Sequence, residues 1–229
     1  MKKIYTAIGQ MQLRGGAGGK RFPVLVLNGE EITPDMGEMI LWSTLYWQFL
    51  TEKELEYQYG EKKNEMRFSD KRSCERVMFW LLRRGLLAEG IGETYEDALY
   101  DLVSGLYITP ISESRILAAG TFLKMIFSDR LPFGTAKQVF RRDKRSDSEK
   151  KLMKIINRVR LSSAEVIRCI ERNILDIKHE DEIVEKLYSD DYTTDQNISD
   201  EMRSSPVCRQ VLSDVANLYL RRQLIFDKK

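Results

Sequence analysis

The sequence predicts a mainly α-helical protein with small β hairpins, and three observations lead there. Ser or Thr repeatedly stands three residues ahead of Glu or Asp near the start of a helical run, the capping-box arrangement that opens helices. Within those runs the apolar residues recur at three- and four-residue spacing, the period of one helix face. Extended-type runs are short and few: the first thirty residues, "LLAEGIG" and "SGLYITPI". At 229 residues the chain suits one large domain or two small ones, each with an adequate core.

Taken in order, the first thirty residues read as two extended pieces, Ile4 to Leu13 and Phe22 to Leu27, joined by "RGGAGGKR". A phosphate loop needs Gly, four residues, then Gly-Lys-Ser/Thr; Arg14 and Arg21 occupy the first Gly and hydroxyl positions, so the motif fails. The loop reads as a turn between strands, with a basic tip touching a polyanion as the other reading. "TPDMGEMILWSTLYWQFL" opens with Thr33 as N-cap and Pro34 at the first helical position, and is apolar nearly all round, as a buried hub should be. Thr51 and Glu54, in capping-box spacing, start a second helix after almost no linker. Asp70 then caps a third helix that runs through Arg84 and stops at Gly85. "LLAEGIG" and "SGLYITPI" follow as strands, separated by a short helix that opens at Thr94 and Asp97.

Residues 33 to about 111, through "TEKEL" as second helix and "CERVMFWLLRRGLLAEG" as third helix plus first wing strand, resemble the winged helix-turn-helix DNA-binding proteins of the transcriptional-regulator and replication-initiator types. The helix between the two strands departs from the family's short wing tip. The resemblance implies that the third helix enters the major groove of double-stranded DNA, and that such modules pair as homodimers on paired half-sites. It also implies a division into a winged helix-turn-helix domain with an N-terminal β extension at 1–111 and a helical domain at 112–229. The function expected is that of a transcriptional regulator; a plasmid-type replication initiator and a winged-helix adaptor for another protein are the alternatives.

Beyond Ser112 the reading is helical: "SESRILAAGTFLKMIFSD", a break at "RLPFG", helices capped by Ser146 with Glu149 and Ser162 with Glu165, and a last helix from Pro206 to Arg222 with Ser205 as cap. The chain echoes itself, "LTEKEL" against "LSSAEV" and "CERVMFWLLRRGLL" against "CRQVLSDVANLYLRRQLI". A second winged-helix-like domain with an acidic insertion and a plain helical partner or dimerisation domain both fit.

A net charge of +2 gives no global argument for nucleic acid, so the placement of charge carries it. Residues 137–160 hold ten basic against three acidic side chains, and 176–201 ten acidic against two basic, two opposed patches; if they pair, the acids compete with DNA for the basic one. Arg141, Arg142, Lys144 and Arg145 in the basic stretch are candidates for phosphate contact. On the third helix Cys74, Val77, Met78 and Leu81 form a core stripe, with Arg72, Arg76, Phe79 and Arg83 opposite and Trp80 to one flank. Arginine can bond guanine bidentately and an aromatic ring can meet the thymine methyl. On the last helix Arg209, Gln210, Asn217 and Arg221 share the polar side.

Catalysis has little to draw on. His179 is the only histidine and sits in "IKHEDE"; the three cysteines, an odd number, are scattered among apolar neighbours, and no calcium or zinc spacing occurs. The expectation is a non-enzyme without metal or cofactor, soluble and cytoplasmic, because the longest apolar segment is the 12 residues "MILWSTLYWQFL".

Overall fold

The computed structural model describes residues 1–15, 21–111, 145–175, 180–190 and 192–228. The helix expected over 112–129, the tip of the glycine loop and His179 lie outside them. The strands are β1 (Lys2–Ala7), β2 (Gln10–Gly15), β3 (Arg21–Leu27) and β4 (Glu30–Ile32), followed by α1 (Met36–Leu45), β5 (Leu50–Thr51), α2 (Glu52–Glu65), α3 (Cys74–Arg83), β6 (Leu87–Gly92), α4 (Tyr95–Val103) and β7 (Tyr107–Pro110). After the gap come α5 (Asp147–Ile156), β8 (Leu161–Ser162), α6 (Ser163–Glu171), α7 (Glu180–Leu187), α8 (Ile198–Met202), α9 (Cys208–Leu220) and β9 (Leu224–Asp227).

The expected mainly α class is corrected. Helices account for 47% of the described residues and strands for 21%, in three small antiparallel sheets, so the fold is mixed α/β. Two of the strands are only two residues long and β9 is buried at three successive positions, which removes the alternation that marks a strand in sequence. The β2-β3-β4 meander turns at Asn28-Gly29, both at positive φ, the turn that matches strand twist.

The expected wing also does not form. β6 pairs with β1, not with β7: in the sheet β5-β1-β6, Tyr5 lies between Leu50 and Glu89. The cause is α4, which packs onto β6 so closely that a Cβ on Gly90 would stand 2.1 Å from the Ala98 carbonyl oxygen. α4 therefore carries the chain off, and β7 becomes the centre of another sheet, β8-β7-β9, with Ile108 between Leu161 and Phe226.

The two sheets belong to two units of one design. β1, α1, β5, α2, α3 and β6 recur in the same order as β7, α5, β8, α6, α9 and β9, with α7 and α8 inserted ahead of the last helix. Capping boxes at Asp35/Glu38 and Thr51/Glu54 are matched by Ser146/Glu149 and Ser162/Glu165, sixteen residues apart in both units. Both third helices end on a residue in the left-handed region, Gly85 (φ 70°) and Arg222 (φ 60°). Four residues later Glu89 and Phe226 hold the same place against the central strand. Gly85 is thus equivalent to Arg222, and the double arginines are out of step by one.

The units share one core. The Tyr219 hydroxyl, from α9, accepts from the Trp47 backbone N–H at 2.9 Å and lies 2.7 Å from Thr6 Oγ1, both in the first unit. Trp47 Nε1 donates to the Leu224 carbonyl, and Gly9 N–H to that of Phe226. Phe49 packs on Tyr219 and Phe226.

Candidate nucleic-acid interface

α3 begins at Cys74, capped by Ser73 rather than the expected Asp70, and buries Val77, Met78 and Leu81. Its outward face carries Arg76, Phe79, Trp80 and Arg83, all exposed. Phe79 is 51% and Trp80 43% accessible, so two adjacent rings of this helix lie open to solvent. The two rings meet edge to face at 5.7 Å, and the Arg83 guanidinium lies 5.8 Å from the Phe79 centroid. Among the described residues neither Arg76 nor Arg83 has an acidic partner. Helix amphipathicity placed these residues correctly; Trp80, assigned to a flank, is part of the same face.

Arg72 behaves differently from the reading that put it on this face. It precedes the helix and donates to both carboxylate oxygens of Asp35 at 2.8 Å and to Asp70 at 2.7 Å. The Arg72 guanidinium holds the carboxyls of Asp35 and Asp70 below their ordinary range. At the other end of α3, Arg84 donates to Glu38 at 2.5 Å and to the Thr33 carbonyl. Sequence reasoning missed this second tie, although an arginine directly before the glycine stop, and Asp35-Met-Gly-Glu38 as a capping box in place of the Thr33 cap, were both visible.

The ground beside α3 is acidic. Burial pushes the Cys74 thiol up to about 11, and Glu56 and Glu52 on α2 add to the rise, so their field reaches the helix's first turn. The link from α2 to α3, residues 66–73, is also longer than the three or four residues of a helix-turn-helix.

The other candidates are scattered. Arg209 pairs with Glu96 of α4 at 2.6 Å. Asn217 is exposed, its carbonyl accepting from Arg221 Nε, while the Arg221 head is taken by the buried Glu149. Arg145 bonds Gln223, and Arg141, Arg142 and Lys144 lie outside the described residues. The acidic segment docks on α6: Asp190 and Glu201 pair with the buried Arg168, and Asp190 also takes Arg172. A bond from Thr193 first, then Arg172, keeps the Asp190 carboxyl well below its ordinary range. These two acids are therefore engaged with α6.

Burial pushes the Cys169 thiol up to about 12, an inert sulfur. Among the described residues no group of His, Cys, Asp and Glu is placed to hold a metal ion, and no helix is long and apolar enough to cross a membrane. No family model matches the chain, and no curated protein or solved structure matches it significantly.

Proposed function

We propose that the protein binds double-stranded DNA through α3, in the manner of a transcriptional regulator. The observation that carries this is the face of Arg76, Phe79, Trp80 and Arg83, exposed and free of acidic partners among the described residues. Two arginines 7 residues apart lie on one side of the helix, two turns or about 10 Å from each other, a distance that spans about three base pairs along a groove. Each good base contact contributes roughly 1 to 3 kcal/mol of discrimination.

The second unit supports the reading by contrast. Its positions equivalent to Arg76, Phe79, Trp80 and Arg83 are Ser213, Ala216, Asn217 and Leu220, a neutral set on the same scaffold. The fold itself does not demand arginines and rings there.

Glu52 and Glu56 favour a second reading, an adaptor whose Phe79–Trp80 face binds a protein, because acids beside the helix repel a phosphate backbone. Titrating random-sequence duplex at low salt, followed by fluorescence anisotropy on Arg76→Ala and Arg83→Ala, separates the two. A DNA reader binds duplex and loses affinity and salt slope in both variants. An adaptor binds no duplex at any salt, which overturns the leading reading.

A further inference from the structure

Building on the DNA reading of α3, we propose that Arg72 is a positioning residue: with Gly37, Asp35 and Asp70 it forms a clamp that fixes the N-terminal end of the reading helix against α1, and it does not contact DNA.

Arg72 stands one residue before the Ser73 cap, so whatever holds Arg72 holds the first turn of α3. Four of its five N–H groups are bonded: Nη1 and Nη2 donate to the two oxygens of Asp35, each at 2.8 Å, and Nε and Nη2 donate to Asp70 at 3.1 and 2.7 Å. The Arg72 backbone N–H also donates to Asp70, at 2.9 Å. A planar fork bonded on two edges has a fixed direction, unlike a phosphate-seeking arginine that swings in solvent. Asp35 is itself the N-cap of α1, accepting from the Glu38 N–H, so the clamp ends on a helix with nine buried residues.

Gly37 makes room for the clamp. A Cβ there would stand 2.4 Å from Asp70 Oδ2 and 2.7 Å from Arg72 Nη2, closer than atoms approach. Gly37 lies inside α1, where glycine is otherwise a poor choice, and the crowding gives it a reason.

The second unit again acts as a reference. Both units tie the C-terminal end of the third helix to the capping-box glutamate of the first, Arg84 to Glu38 and Arg221 to Glu149. In the first unit the tie at the other end returns to the same helix, α1; in the second, Arg209, which the Gly85–Arg222 equivalence sets opposite Arg72, pairs with Glu96 of α4, and Ser146 and Ser148, in place of Asp35 and Gly37, offer it no carboxylate. The helix whose two end arginines both return to the first helix of its own unit is the one with the basic-aromatic face. A reading helix has to meet base edges in register, so its axis needs both ends fixed.

Gly37→Ala tests this cleanly, since it changes no charge. Arg72→Ala and Gly37→Ala are each expected to lower duplex affinity about tenfold, with no further loss in the double variant and an unchanged salt slope, the signature of one shared clamp. An Arg72→Ala slope that falls by about one, with Gly37→Ala binding like the parent, makes Arg72 a phosphate contact and overturns the proposal. Hydrogen exchange keeps the test independent of the DNA reading: amides of 74–83 should exchange faster in both variants while those of 208–220 stay unchanged. Equal exchange of 74–83 in parent and variants overturns the clamp even if no form of the protein binds duplex.

Discussion

The two units use one scaffold for different ends. Each opens its first helix with a capping box, feeds a two-residue strand into a second helix, and returns a strand from its third helix to the central strand. Each also pairs an arginine at the end of the third helix with the buried glutamate of the first. What differs is chemistry on the outside and charge on the inside. The first unit presents Arg76, Phe79, Trp80 and Arg83, whereas the second presents Ser213, Ala216, Asn217 and Leu220, all uncharged. Where the first buries Val77 against its neighbours, the second buries Asp214, one carboxylate oxygen of which has no hydrogen-bond partner. Shared contacts mark what the scaffold needs, and the unshared ones mark what a unit does.

The largest test breaks the pairing itself. Tyr219→Ala should destabilise the whole protein by about 3 to 5 kcal/mol, because it empties a core site and strands the Trp47 N–H. Calorimetry of the parent should show a single transition; two transitions would mean that the units fold independently. Next come the shared clamps: Arg84→Met and Arg221→Met should each cost about 2 to 3 kcal/mol in urea unfolding, by leaving a buried glutamate unpaired. Unequal costs would weaken the equivalence of the two units.

The outer faces should separate in binding rather than stability. Arg76→Ala should weaken duplex affinity by about tenfold, whereas Ser213→Ala and Asn217→Ala should leave it within about twofold. A reversal would move the reading helix to the second unit. Asp214 sharpens the inner contrast: burial raises its pKa, more than the hydrogen bonds from Ser148 and Gln210 lower it. A raised carboxyl pKa gives stability that is complete below the unfolded value and is lost as pH rises through the folded one. Asp214→Val should therefore gain about 1 kcal/mol at neutral pH and flatten that decline, measured as unfolding free energy between pH 4 and 8. The smallest effect belongs to the exposed Arg209–Glu96 pair, where Arg209→Ala should leave the urea unfolding midpoint unchanged.

Much of the local structure could be read in advance. Four capping boxes, at Thr51, Thr94, Ser146 and Ser162, sit where their spacing puts them, and Gly85 ends α3 in the left-handed conformation. Such signals survive because a cap involves residues three apart, whatever the rest of the chain does. The core stripe of α3 and the exposure of Phe79 were likewise a matter of helix geometry. Less legible was the end of the last helix. It stops at Leu220 and "LIFD" becomes β9, since an apolar run of three reads equally well as a buried turn of helix.

By itself the sequence determined where α2, α4, α5 and α6 start, which face of α3 is apolar, and that the basic and aromatic side chains of α3 share one side. All of these depend on neighbours within a turn or two. Tertiary structure alone decided that β1 and not β7 closes the first sheet, that Arg72 belongs to Asp35 and Asp70, and that the acidic segment docks on Arg168 and Arg172. A strand edge, a guanidinium and a carboxylate each accept many partners of equal chemistry. Only the packing of α4 on β6, and the space left by a glycine at 37, choose among them.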